Sequence, residues 1–298
     1  MIGAELKKAL KLKGHHVIIL TRASGKKPAP SPNESFAHWD IEAQTIDREA
    51  IVSCDAIIHL AGAGIADKRW TKKRKAEIVN SRVRGGELLA NALREYPNKV
   101  RTVVTASAIG WYGPDSINPN PHPFTENNPA SNDFLGNACK QWEQSVDPVK
   151  AMGIRLVKIR TGVVMSRKGG ALTEFRKPLL AGLATILGSG RQVISWIHID
   201  DLIRIYIQAI EDSQLEGAYN AVVPFPVTNK QLVLTLARIK KGKFFITMNV
   251  PVWVLKMVLG ELSIEVLKSA TVSADKIKSL GFTFQFPTLE PALQNLEQ

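Results

Sequence analysis

Short β-branched runs alternate along this chain with stretches whose apolar positions recur every three to four residues, a pattern that predicts strands separated by helices. At the start, Ile2, Leu6 and Leu10 fall on one helical face and Gly14 ends the pattern, so a helix opens the sequence. Residues 16–22 then read as a strand, and residues 56–62 as a second that ends on small side chains. A helix over residues 72–96 leads into residues 100–113, and residues 155–159 supply a further strand. Strands and helices in this order predict an α/β fold built on a doubly wound parallel sheet.

Residues 100–113 organise the rest. Their β-branched half reads as a strand buried on both faces, and it runs into Ser107-Ala-Ile-Gly-Trp-Tyr-Gly113. Ligands of open α/β sheets bind beyond the carboxyl ends of the strands, which puts the expected chemistry at Ser107 and the residues after it. The Pro-, Asn- and Ser-rich residues 114–133 read as a surface loop over those ends. Asp200 or Asp201 is expected to cap an amphipathic helix over residues 202–210, and Thr228 or Asn229 a later one. Residues 251–268 read as an apolar helix pair, and the alternation of Phe282, Phe284 and Phe286 as a short strand.

Charge changes the picture only a little. The chain's 298 residues include 39 Lys and Arg against 27 Asp and Glu, a net +12 that favours anionic partners. The basic residues, among them Lys26 and Lys27, are dispersed without interleaved aromatics, which argues for solvated faces and against nucleic acid. Cys54 and Cys139 lack metal-ligand spacing, so a reduced, cytoplasmic protein without a metal is expected. The apolar run over residues 248–259 contains Lys256 and is too short to cross a bilayer; no membrane partner is expected.

Separate segments carry a family resemblance. They are Leu20-Thr-Arg22, Trp39-Asp40, His59-Leu-Ala-Gly62, Ser81-Arg82, the segment from Ser107 to Gly113, Phe124-Thr-Glu126, Trp142-Glu143, Gly188-Ser-Gly-Arg-Gln192 and Ser195-Trp-Ile-His-Ile-Asp-Asp201, followed by Gly281-Phe-Thr-Phe-Gln-Phe-Pro287 and Pro291-Ala-Leu293. In this order and spacing the chain resembles, over nearly its whole length, the atypical extended short-chain dehydrogenases/reductases called epimerase family proteins, which carry a small C-terminal domain of the DUF1731 type. The resemblance implies a Rossmann-like domain over residues 1–221, with residues 165–195 contributing to a substrate cleft, and a small substrate-side α+β domain over residues 222–298.

Family members open with a strand and a Gly-rich turn, of which Ile2-Gly3-Ala4 matches only the end. We therefore expect Met1 to be an internal methionine of a longer protein, the alternative being a chain whose sheet closes differently. Only the helix start at Gly3 remains to meet a pyrophosphate, so weakened cofactor binding is expected. At the end of the strand over residues 16–22, Thr21 and Arg22 offer a hydroxyl and a guanidinium where an acidic residue would favour NAD. That suits the 2'-phosphate of NADP (NADPH), although Arg22 also reads as an ordinary surface arginine. By resemblance, Leu60, Ala61, Glu77, Arg82 and Val163 are cofactor contacts, and Trp39-Asp40 lies beside the adenine; Glu77 and Arg82 equally suit a solvated helical face.

Catalysis is where the resemblance departs from the usual pattern. Short-chain reductases use a Tyr with a Lys four residues on, together with a Ser, and Ser107 matches the Ser. The other two positions fall on Leu135 and Cys139, with Lys140 one residue out of register, a turn of about 100° around a helix. Tyr112 stands as the candidate proton donor near Ser107, against its reading as a pocket wall; Glu126 and His198 read better as structural residues. Trp196 and His198 face the cleft by resemblance, and residues 188–192 form a loop whose Arg191 could meet an anion. The expected function is an NADP(H)-binding oxidoreductase or epimerase acting on a small sugar-like or carbonyl substrate, with a homodimer compatible with it. The alternative is a non-catalytic NADP-binding redox sensor or scaffold.

Overall fold

The computed structural model describes residues 1–22 and 32–298, so Lys26 and Lys27 lie outside the described residues. Helix Ile2–Leu12 buries Leu6 and Leu10, and Gly14, at φ 85°, turns the chain towards strand Val17–Thr21. That strand pairs in parallel with Glu34–Asp40, which pairs antiparallel with Thr45–Ile46. A second sheet holds four parallel strands in the order Gly217–Ala221, Arg155–Thr161, Thr102–Ala108 and Ala56–His59. Helices Lys72–Glu95, Phe134–Ser145 and Ile199–Glu211 alternate with these strands, which is the α/β order that the apolar pattern predicts.

Val17–Thr21 and Ala56–His59 end their respective sheets, and among the described residues no strand pairs between them. The sheet therefore does not close by joining these two strands. The first helix is one link between its parts: Leu6 and Leu10 share an apolar cluster with Val104, Val157 and Tyr206, and Val17 and Ile58 pack against it. Lys7 and Lys11 also reach Glu34 at 2.9 and 2.8 Å, tying the helix to the second strand of the smaller sheet.

Two expected details are corrected. Neither Asp200 nor Asp201 caps helix Ile199–Glu211; the cap is His198, whose Nδ1 accepts from the Asp200 amide at 3.1 Å. Asp201, fully buried, instead accepts the amides of Gln285 and Phe286 at 2.8 and 2.9 Å. Phe282, Phe284 and Phe286 do not form a strand: the amides of Gln285 and Phe286 go to this carboxylate, and that of Phe282 to the Ile277 carbonyl, where a ladder would need a neighbouring strand. Their rings pack locally, Phe282 edge-on to Phe284 at 4.9 Å and Phe286 against His198 at 4.0 Å.

Towards the C-terminus, Thr228 caps helix Asn229–Lys241 through a capping box with Gln231. Strand Ile246–Val250 pairs in parallel with Leu183–Leu187, and the apolar pair appears as helices Val252–Leu259 and Leu262–Leu267. Among the described residues no helix is long and apolar enough to cross a membrane, and no cluster of metal-ligating side chains occurs.

Candidate functional site

Strand register builds the site. Ser107 lies beside Arg160, and Arg160 beside Asn220, on three adjacent parallel strands. Residues side by side in a parallel sheet project from the same face, so three polar side chains form a row at the carboxyl end of the sheet. His59 ends its strand paired with Thr105, so Leu60 and Ala61 leave the sheet next to the strand that carries Ser107. Arg160 lies in strand Arg155–Thr161, which reads Arg-Leu-Val-Lys-Ile-Arg-Thr, so two cations, Lys158 and Arg160, are buried in it and the local sequence did not single out Arg160.

The row is closed by three further residues. Glu143, on helix Phe134–Ser145, accepts the Ser107 hydroxyl at 2.7 Å and takes Arg160 through Nε at 2.8 Å and Nη2 at 3.1 Å. Arg160 Nη1 donates to the Tyr112 hydroxyl at 3.1 Å, and that hydroxyl donates to Asn220 Oδ1 at 2.7 Å. Glu126 accepts the Asn220 amide at 2.7 Å, and its carbonyl receives Arg160 at 3.2 Å. Ser107, Glu143 and Arg160 are each 3% exposed, so a buried charge pair here is both ion-paired and hydrogen-bonded, as burial demands. The Arg160 guanidinium also lies 3.7 Å from the Trp111 ring centroid.

This network determines what each group can do. With its proton directed at Glu143, Ser107 Oγ keeps its lone pairs as acceptors. Tyr112 is fully buried, and desolvation pushes its phenol up to about 12, so it stays protonated at neutral pH. Leu135 and Cys139 pack against the turn after the central strand: a Cβ at Gly110 would lie 3.2 Å from the Leu135 Cβ, and the Cys139 thiol meets the Ala108 carbonyl at 3.7 Å. Burial pushes that thiol up to about 12, and Lys140 is exposed.

The expected cofactor contacts fall mostly along the same edge. Gly3 is exposed at the start of helix Ile2–Leu12, which has no side-chain cap, and a Cβ there would lie 3.7 Å from Leu60 Cδ1. Thr21 ends strand Val17–Thr21 and Arg22 is exposed just beyond it, near enough to Asp40 to help lower that carboxyl, which the amides of Ala43 and Glu42 lower more. Arg82 donates to the Ala63 carbonyl at 2.9 Å and lies over the Trp142 ring, holding the segment after Leu60 and Ala61 in place. Glu77 pairs with Arg74 at 2.8 Å. Val163 pairs with Trp196 on a separate two-stranded ladder. Trp196 and His198 are fully buried and so line no open cleft; the Trp196 indole donates to the Phe225 carbonyl at 3.2 Å. In residues 188–192 Gly190 and Gln192 are buried, with Gln192 donating to the Leu187 carbonyl at 3.0 Å, while Ser189 and Arg191 are exposed.

Comparisons with known proteins agree with this architecture. The family model described as NAD dependent epimerase/dehydratase matches residues 1–222, and a domain of unknown function (DUF1731) matches residues 250–296. Epimerase family protein SSP1921 of Staphylococcus saprophyticus is 34% identical over 297 residues, covering 99% of this chain and 96% of that protein. Epimerase family protein YfhF of Bacillus subtilis is 33% identical, with 99% and 94% covered. The crystal structure of human epimerase family protein SDR39U1 (isoform 2) with NADPH superposes with a TM-score of 0.84 at 28% identity, covering 99% of this chain and 95% of that one.

Proposed function

Because the chain belongs to the NAD dependent epimerase/dehydratase family, we propose that it binds NADP(H) along the carboxyl edge of its sheets and is an oxidoreductase or epimerase acting on a small carbonyl or sugar-like substrate beside Ser107. The observation that carries the reading is the placement of three features at one edge: the uncapped helix start at Gly3, where a Cβ would lie 3.7 Å from Leu60 Cδ1, Leu60 and Ala61 just past the end of strand Ala56–His59, and Ser107 near the end of the strand paired with it.

The residues present fit such a dinucleotide. The first amides of helix Ile2–Leu12 have no side-chain cap and suit a pyrophosphate, and the absence of a Cβ at Gly3 keeps the approach open towards Leu60. Thr21 and exposed Arg22 suit a 2'-phosphate, and the NADPH held by the human relative favours the same choice. Leu60, Ala61 and Val163 form apolar walls in this reading, Arg82 holds the wall through Ala63, and Glu77 acts on the same segment through Arg74.

When bound, the dinucleotide supplies a hydride donor or acceptor. Ser107, acting as an acceptor, binds a substrate hydroxyl better than a ketone oxygen, so oxidation of an alcohol is the direction that suits this site. A second reading, a non-catalytic NADP-binding redox sensor, is favoured by Leu135 and Cys139 standing at the usual Tyr and Lys positions.

Titration with NADPH and NADH, read by fluorescence and thermal stability, tests both readings, followed by turnover on small hydroxy and keto compounds. NADPH-selective stabilisation with turnover that Ser107→Ala abolishes is the expected result. Binding without turnover transfers the protein to the sensor reading, and no binding of either nucleotide overturns both.

A further inference from the structure

Around residues 243–258 the usual order of a protein surface is reversed. Phe244 is 88% exposed, Ile246 70% and Trp253 67%. Ile246 and Met248 lie beside Leu183 and Thr185 on one face of this edge ribbon, and Thr247 and Asn249, on the other, are exposed as well. The first of these faces is mainly apolar, where a solvated strand would be polar. In helix Val252–Leu259, Leu255 alone is buried, while Trp253, Lys256 and Met257, three and four positions apart, share an exposed face. Exposed apolar surface on this scale marks a contact site.

Charge selects what covers it. Between Glu216 and Glu261 the sequence holds no acidic residue, whereas Lys230, Arg238, Lys240, Lys241, Lys243 and Lys256 all fall in that interval. Lys240 is paired with Glu297, but Lys243 and Lys256 flank the apolar side chains and are exposed. A second copy meeting this face across a two-fold axis would set lysine against lysine. Nucleic acid would leave Ile246, Met248 and Met257 without apolar partners. An anionic bilayer meets both needs, taking the aromatic and aliphatic side chains at the acyl boundary and the lysines at its phosphates. The eight-residue helix is too short to span and suits a position in the interface plane.

We propose that residues 243–258 dock this protein on an anionic lipid surface, with Phe244, Trp253 and Met257 inserted and Lys243 and Lys256 at the headgroups. The proposal departs from the expectation of no membrane partner and places residues 243–258 on the bilayer surface.

The test is sedimentation of the full chain with vesicles of phosphatidylglycerol and phosphatidylcholine in equal parts, against vesicles of phosphatidylcholine alone. Binding to the first and not the second is expected, weakening as salt rises. Lys243→Glu with Lys256→Glu should weaken it more than tenfold, since each lysine near an anionic surface contributes roughly fivefold. Phe244→Ser with Trp253→Ser should do the same. In case either variant fails to fold, brominated lipid provides a second readout: it should quench wild-type tryptophan fluorescence, and Trp253→Phe should remove the quenched component. The proposal is overturned by absence of binding to the anionic vesicles, by binding that the charge reversal leaves unchanged, by quenching unaffected in Trp253→Phe, or by a dimer whose association Trp253→Ser abolishes.

Discussion

The Ser107 hydroxyl donates to Glu143 at 2.7 Å, and the oxygen that receives it also receives Arg160 at 2.8 Å. One buried carboxylate thus orients the serine and balances a buried cation, so binding geometry and stability are coupled at this point. Glu143→Ala would leave Arg160 buried and unpaired, at a cost of about 3–5 kcal/mol. Combining it with Arg160→Met should cost less than the sum of the two single changes, since the pair acts as a unit. Denaturant unfolding of the three variants measures this, and strict additivity would show that the pair is not coupled.

Tyr112 sits in the same network, yet its phenol is fully buried, pushed up to about 12 by desolvation, and engaged by Asn220 and Arg160. Tyr112→Phe is expected to cost about 1–2 kcal/mol of stability, from losing hydrogen bonds to Asn220 and Arg160. Nucleotide affinity and any turnover should stay within a factor of two or so of wild type, because the buried hydroxyl already directs its proton at Asn220 and accepts from Arg160. A large fall in turnover with stability intact would assign the proton transfer to Tyr112.

Arg22 is exposed at the end of its strand, where the proposed 2'-phosphate would lie. Arg22→Ala should weaken NADPH by roughly tenfold to a hundredfold, the range for losing a charge-assisted hydrogen bond, and leave NADH unchanged. Parallel titrations of the two nucleotides decide it. An equal loss for both would move the role of Arg22 away from the 2'-phosphate.

His59 gives the protein an acid limit. Complete burial lowers its imidazole to about 4 from an ordinary 6.5, with the Arg82 charge adding to the effect, and Trp39 packs edge-on at 5.8 Å. The folded-state value lies below the unfolded one, so the neutral form is favoured by folding. That stability is complete above about 6.5 and is lost as pH falls towards about 4, to an extent of about 2–3 kcal/mol. His59→Leu should flatten the acid limb over that window in thermal unfolding followed from pH 7 to 4. An unchanged limb would place the acid sensitivity elsewhere.

Local pattern carried much of this fold. The helix with Leu6 and Leu10 buried, the strand Thr102–Ala108 and the capping box of Thr228 and Gln231 each depend on residues only a few positions apart. The family segments likewise identified the fold and pointed to Ser107. Where two arrangements share one local pattern, the sequence could not choose between them. Alternating Phe282, Phe284 and Phe286 suit a strand, but Asp201, some eighty positions earlier, takes the amides of Gln285 and Phe286 that a ladder would use.

The amino-acid sequence by itself determined the order of elements, the burial of the central strand and the absence of a Tyr-Lys pair, because periodicity and composition act along the chain. Tertiary structure alone decided that Ser107, Arg160 and Asn220 stand in one row, that Glu143 closes it from a helix and that the rest of the chain leaves Phe244 and Trp253 uncovered. Strand register and the covering of one surface by another join residues far apart in the chain, and no local pattern encodes which partner each will meet.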